Sequence, residues 1–328
     1  MPADRNSEPP PTAADKRRIA REAKIADGLQ ALEWWLRDTI SQGLVAVHSR
    51  GHAHWDEIAA RMVDAQAPGL ARRLRKMASA ASGERWEERL LEELAKLHLL
   101  TEAYKRQDVL PADLRAEVRT LVGWTVGQDE LHTQAGVGDR WQVVGRSVTE
   151  EDRLRVQRTW LLGLSTGRSA LTLEFSPGPR VPFENPFEVN TLAAAELVFY
   201  PGVVPLRATV KAKTHPTHAL RGVCGGYRNI SDAVAAYAAA LAKNPWIERV
   251  PFLLHGVVPA PAGEGFVVYD QDDRAAPLAR RFAHGWRLLA MSGGHPVDVF
   301  GEWNGDELNP LSVWSDGRFA DLHDAPAH

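Results

Sequence analysis

The residues best suited to do chemistry lie close together: His215-Pro-Thr-His218, followed shortly by Cys224, the only cysteine of the chain. Two imidazoles and a thiolate are zinc-ligand types, and three ligands with an open fourth position define a catalytic rather than a structural zinc site. The plainer account is a polar loop after a strand and a small buried thiol. Cys224 also stands in Val223-Cys-Gly-Gly-Tyr227. There it could serve as a nucleophile, with His218 or His255 as base and the glycines letting backbone N–H groups face an oxyanion. No third group that would orient such a base can be identified from sequence. A single thiol excludes a disulfide framework and a thiolate zinc cluster within this chain.

Other chemistry-bearing groups have bland readings beside the sharp ones. His48, His52 and His54 crowd a Gly-containing loop between helices, where a solvated loop competes with transient metal binding. Asp270, Asp272 and Asp273 follow an expected strand and could hold a hard cation, but the calcium-loop spacing is missing and a solvated turn is the better account. Lys16, Arg17, Arg18, Arg21 and Lys24, and then Arg72, Arg73, Arg75 and Lys76, could touch phosphate, yet both runs fit the polar sides of amphipathic helices. Arg153, Arg155 and the Trp160 side are expected on one strand face, with Arg158 on the opposite parity, a charged surface beside an aromatic that suits protein contact. No phosphate-binding loop, nucleophile elbow or zincin helix occurs.

The elements that must position these groups change character along the chain. Ile25, Leu29, Leu32, Leu36, Ile40 and Leu44 recur at three- and four-residue steps and predict a helix over 16–47. Trp34 and Trp35 flank that stripe, so at least one packs against a neighbouring element. Further helices are expected over 53–67, from Pro68 to about 79, over 84–106 and over 111–122. Around Gly136 the period becomes two. Strands are expected near 141–144, 154–160, 170–175, 197–200, 206–210, 250–258, 265–269, 286–291, 297–303 and 311–314. Ser165–Arg168 reads as a hairpin turn with Gly167 at positive φ, and Ser231 as the cap of an Ala-rich helix to Ala242. Eleven Trp, spread from Trp34 to Trp314, supply packing mass in both halves.

Several longer words resemble a known family. Gly28-Leu-Gln-Ala-Leu-Glu-Trp-Trp-Leu-Arg-Asp38, Ala60-Arg-Met-Val-Asp-Ala-Gln-Ala-Pro-Gly-Leu70 and Glu88-Arg-Leu-Leu-Glu-Glu-Leu-Ala-Lys-Leu-His98 are similar to the C-terminal region of bacterial SWIM zinc-finger family proteins. Glu151-Asp-Arg-Leu-Arg-Val-Gln-Arg-Thr-Trp160 and Glu196-Leu-Val-Phe-Tyr-Pro-Gly202 follow in the same order. These are packing and turn words, not a catalytic signature. The family's zinc module lies upstream and uses a Cys-x-Cys…Cys-x-His set. This chain begins where the post-finger linker would be. The finger is therefore expected on a neighbouring polypeptide, lost to a misassigned start, or absent from a fingerless relative. The resemblance implies a scaffold or adaptor that acts with a MoxR-type AAA+ ATPase and von Willebrand A-type proteins, an argument by analogy.

The expected protein is α+β: a disordered tail at 1–15, a helical bundle-like domain at 16–135, an antiparallel β-rich domain with one embedded helix at 136–320, and a tail at 321–328. A formal charge of -3 gives no global pull toward nucleic acid or membrane, and no apolar run approaches a bilayer span. The expected role is a cytoplasmic, non-enzymatic interaction or adaptor subunit without a cofactor, using Trp34, Trp35, Arg153, Arg155 and Trp160 as contact residues. The alternatives are a nucleic-acid-associated accessory protein, which needs a contiguous basic surface, and a metal- or Cys-dependent enzyme built on His215, His218 and Cys224.

Overall fold

The helical period of the first half and the strand period of the second fold into separate units. The computed structural model describes residues 12–80, 85–151, 154–178, 180–183, 187–214, 218–220 and 222–323. The chain divides into Met1–Thr125 and Val126–His328. The class is α+β, with helices first and antiparallel-rich sheets after.

In the first unit α1 (Ala13–Gln42) opens ahead of Lys16 because Thr12 and Asp15 form a capping box, each accepting the other's backbone N–H at 3.1 Å. Ile25, Leu29, Leu32 and Leu36 are buried as their spacing predicts, but Ile40 is exposed. Gly43, at φ +85°, ends the helix there, and Leu44 starts a separate short helix, α2 (Leu44–His48). Trp55, Ile58 and Met62 are the buried face of α3 (Gly51–Asp64). Gly28 permits close approach to the end of that helix, since a Cβ there would fall 2.4 Å from that of Ala65. Next come α4 (Pro68–Ala80), opening on its proline, and α5 (Trp86–Lys105), burying Leu90, Leu94, Leu97 and Leu100. A 3-10 turn and α6 (Ala112–Val122) complete the unit.

A polar clasp joins its distant segments. The guanidinium groups of Arg21 and Arg119 each lie 4.1 Å from the ring of Trp124. The Trp124 indole donates to the Tyr104 hydroxyl at 2.9 Å, and Tyr104 donates to Glu22 at 2.8 Å. Arg119 donates to Glu22 at 2.7 Å, and Arg21 to the Gly123 carbonyl at 2.9 Å. Burial pushes the Glu22 carboxyl up, but the bonds from Arg119 and Tyr104 outweigh it and hold Glu22 below the ordinary carboxylate range.

The second unit begins with α7 (Gln128–His132), then β1 (Val137–Glu151), β2 (Leu154–Gly163), β3 (Ser169–Ser176), β4 (Thr191–Phe199) and β5 (Arg207–Lys213). These pair in the order β1-β2-β3-β5-β4, and β1 pairs again with β4, closing a five-stranded barrel. The β3–β5 contact is parallel and the other ladders of the ring are antiparallel. Two strands of β1's length are not needed: Val137–Val143 pair with β4, Trp141–Glu151 pair with β2, and a bulge at Val143–Gly145 turns the strand. Gly167 at φ +64° closes the β2–β3 hairpin as expected, with Asp139 accepting the Ser165 and Thr166 N–H groups. Trp141, Val143, Leu161, Phe187, Ala193 and Leu197 fill the barrel interior. The short β6 (His218–Ala219) extends the edge beside β4.

The rest forms a second sheet: α8 (Ile230–Lys243), β7 (Val250–Ala262), β8 (Gly265–Tyr269), β9 (Ala275–Pro277), α9 (Gly285–Ser292), β10 (Val297–Trp303), β11 (Leu308–Ser315) and β12 (Arg318–Asp321), ordered β12-β11-β10-β7-β8-β9. Two expectations are corrected here. Asn229, not Ser231, caps α8, its side chain accepting from Asp232 N–H at 2.7 Å. The stretch 286–291, read as a strand, is the helix α9, which buries Leu288 in the core under the sheet and ends at Gly293 in the left-handed region. A short apolar run does not separate the two periods, and tertiary packing decides.

One face of this sheet packs on the barrel. Val144 and Trp160 meet Leu253, Phe300, Leu311 and Trp314 there. The Trp160 indole donates to the buried carboxylate of Glu302 at 2.9 Å, and Arg249 donates to its other oxygen at 2.7 Å. Gly145 leaves the room that Phe300 occupies, since a Cβ there would lie 2.7 Å from its ring. Because Phe300 is fully buried, Gly145→Ala is expected to destabilise the fold by about 1–3 kcal/mol, the usual range for overpacking. Urea unfolding followed by tryptophan fluorescence checks this, and an unchanged midpoint refutes it.

Candidate functional site

A bulge in the second sheet builds the most developed site. The β7–β10 register slips between Val297 and Val299, leaving His255 and Gly256 at the slip, with Gly256 at φ +64°. Asp298, on β10, accepts the Gly256 N–H at 3.0 Å and stands 3.1 Å from His255 Nδ1. The other ring nitrogen of His255 is bonded to the Gly225 carbonyl. That carbonyl belongs to the loop before α8, which lies along β7: Tyr227 N–H donates to Leu253 and His255 N–H to Tyr227. Gln142 of the barrel fixes the same loop, exchanging two bonds with the Cys224 backbone at 2.8 and 2.9 Å.

These residues line an open pocket of about 610 Å³, whose wall includes Cys224, Gly225, Arg228, His255, Gln271 and Asp298. The bond to Asp298 holds the His255 imidazole above its ordinary value; burial opposes this and the Gly225 carbonyl reinforces it. Burial pushes Asp298 up, but the bonds from His255 and Gly256 N–H win and keep it below the usual carboxylate range. Only the imidazolium can donate from both nitrogens, so His255 and Asp298 form an ion pair within the cavity wall.

The expected site residues fall as follows. Cys224 is exposed, not the buried thiol of the plainer account. It lines the cavity with His255, and Asp298 is the orienting group that sequence did not reveal. Yet both His255 nitrogens are engaged, so no free imidazole nitrogen is presented to the thiol. His218 pairs with Leu192 at the barrel edge and is not among the cavity residues, while His215 lies outside the described residues. Among the described residues no group of three or more His, Cys, Asp or Glu is placed to hold a metal ion.

Arg153 also lies outside the described residues. The shared face of Arg155 and Trp160 is corrected. The β2–β3 register is regular from Arg155 to Leu162, so residues an odd number apart point to opposite sides. Trp160 is buried against the second sheet with Phe300, whereas Arg155 sits 5.0 Å from the Phe183 ring on the other side. Arg158, on the Trp160 side, donates to Thr149.

In the first unit Trp34 is 63% exposed, while Trp35 stacks on His54 and meets Trp55 edge-on. The three histidines do not crowd a loop: His48 ends α2 and stacks on Trp86, and His52 and His54 belong to α3. Burial pushes the His54 pKa down, with Arg50 adding to the effect. Asp270 is buried and accepts the Ile230, Asp272 and Arg274 N–H groups, so it closes a turn instead of facing solvent. The basic runs are partly structural too, with Arg21 in the clasp and Arg73 only 8% exposed near Glu93. Asp298 and Arg228 had no local signal, because their meeting with His255 depends on the bulge and the loop crossing.

Residues 20–122 match the family model of the SWIM-associated four-helix bundle domain. The match agrees with the C-terminal region of SWIM-family proteins, and three of the five resembling words, at 28–38, 60–70 and 88–98, lie within it. No curated protein and no solved structure matches the chain. No helix among the described residues is long and apolar enough to cross a membrane.

The His255–Asp298 pair has a defined pH dependence. With the imidazole value raised, its contribution to stability is complete below about pH 6.5 and is lost as pH rises through the raised value; with the carboxyl value lowered, the acid-side loss begins only as Asp298 protonates. His255→Gln is therefore expected to lower the urea midpoint more at roughly pH 6 than at roughly pH 9. An equal effect at both would show that the imidazolium contributes nothing.

Proposed function

We propose that the chain is a non-enzymatic interaction or adaptor subunit that works in the cytoplasm with a MoxR-type AAA+ ATPase and a von Willebrand A-type protein. The match of residues 20–122 to the SWIM-associated four-helix bundle domain carries this reading. Trp34 supports it: an indole mostly in solvent on a three-turn-or-longer helix, beside a Trp35 that is packed, is the kind of rigid aromatic anchor that dominates binding energies. Arg37 and Asp38 lie one turn further on the same side, giving the anchor a charged rim. The engaged nitrogens of His255 also favour a non-enzymatic role, since they leave the Cys224 thiol without a free imidazole to act as its base.

Affinity purification of the tagged full chain from its native host, with nuclease treatment, tests the reading. The AAA+ ATPase or the von Willebrand A-type protein is expected in stoichiometric yield. Trp34→Ala is expected to cut that yield at least about tenfold, in keeping with loss of an aromatic hot spot. Elution of the chain alone would sink the proposal, and recovery that depends on nucleic acid would replace it with the accessory-protein reading.

A further inference from the structure

We propose that the cavity walled by Cys224, Arg228 and His255 binds an organic carboxylate, with the Arg228 guanidinium as counter-ion and the Gly225 and Gly226 N–H groups as donors. The inference does not depend on the adaptor reading, because it rests on the second unit alone.

Charge balance points to an anion. Asp298 is held by His255 and the Gly256 N–H, and the Arg228 charge favours its ionised form too, so the wall sets two cations against one carboxylate. The Arg228 guanidinium, exposed at the cavity wall, makes no ion pair or hydrogen bond to another described residue. A cation therefore sets the field within the cavity, and the planar guanidinium fork matches a carboxylate in two parallel bonds. The loop supplies further donors. Gly225 and Gly226 have φ of +87° and +77°, and neither N–H is donated to another described residue. Consecutive backbone N–H groups in such turns form concavities for anions. Gly226 cannot be replaced without moving the loop, since a Cβ would fall 2.4 Å from the Leu253 carbonyl oxygen. At about 610 Å³ the space is that of an organic ligand, and an inorganic ion alone would leave most of it to water. Either a free small carboxylate or the C-terminus of a polypeptide has the required chemistry.

Cys224 is the only thiol of the chain and lines the cavity, so its alkylation reports on the site. Iodoacetate and iodoacetamide differ in a carboxylate against an amide. Their rate ratio on the folded full chain is expected to exceed the ratio on the urea-unfolded chain by about threefold, the effect of one exposed ion pair. Arg228→Gln should return it to the unfolded value, and Arg228→Lys should keep part of the excess. Succinate, a tripeptide with a free C-terminus and the same tripeptide amidated then serve as protectants. Slowing by succinate alone assigns a free small molecule, and slowing by the tripeptide acid but not its amide assigns a polypeptide end; either supports the site. The proposal is overturned by equal ratios in folded and unfolded chains, by an unchanged ratio in a folded Arg228→Gln protein, or by protection from inorganic phosphate equal to that from the carboxylates.

Discussion

The carboxylate of Glu302 is the constraint on which the second unit turns. It is 3% exposed and sits at a largely apolar face between the barrel and the second sheet. A buried carboxylate without partners is costly, so the Trp160 indole and the Arg249 guanidinium must both reach it. Meeting that demand fixes which side of β2 faces the sheet. It places Trp160 beside Phe300 at 6.4 Å between ring centroids, and Phe300 in turn needs the space left open at Gly145. The bulge at Gly145 also lets β1 serve both β2 and β4. Barrel closure and layer packing thus share one strand and one glycine.

The same face ends at Val223, and the next residue is the exposed Cys224. Gln142, from β1, holds the Cys224 backbone by two bonds. The loop is therefore fixed on one side by the barrel and on the other by the His255 imidazolium. Five-stranded Greek-key barrels host oligonucleotide and oligosaccharide sites on their second and third strands. Here Trp160 and Leu171 of those strands pack toward the second sheet, so that part of the barrel surface is already covered. What the arrangement leaves open is the cavity beside this loop, whose wall contains the His255–Asp298 ion pair and the Arg228 guanidinium.

The first unit is organised by a different kind of contact. Its apolar stripes pack Leu, Ile and Met between helices, each fully buried side chain worth roughly 1.5–3 kcal/mol. Its directional information comes from the clasp around Trp124, where two guanidinium groups cover one ring and a carboxylate links the clasp to Tyr104. A cation over an indole and a bonded carboxylate both require specific geometry, so they select one helix arrangement among those the stripes allow. A basic run expected from sequence to lie on the polar, solvated side of its helix contributes Arg21 to this internal contact.

The sequence by itself determined the helical character of the first half but not the break at Gly43, and it determined the α+β class, the Pro68 helix start, the Gly167 hairpin and the family resemblance that the match to residues 20–122 bears out. Each is a local property: periodicity, a capping or breaking residue, or a word of packing residues. Sequence periodicity misread 286–291 because a six-residue, mostly apolar stretch suits either element until packing against a sheet selects one. It gave Cys224 and His255 as possible partners but not Asp298, nor the bond that occupies the second imidazole nitrogen. The sequence reading put Arg155 and Trp160 on one face against strict strand alternation, which sets residues five apart on opposite faces, and the tertiary structure showed which side is buried. The site as a whole was decided there too, because a bulge, a loop crossing and a charge balance join residues far apart in the chain, and no local spacing encodes such a meeting.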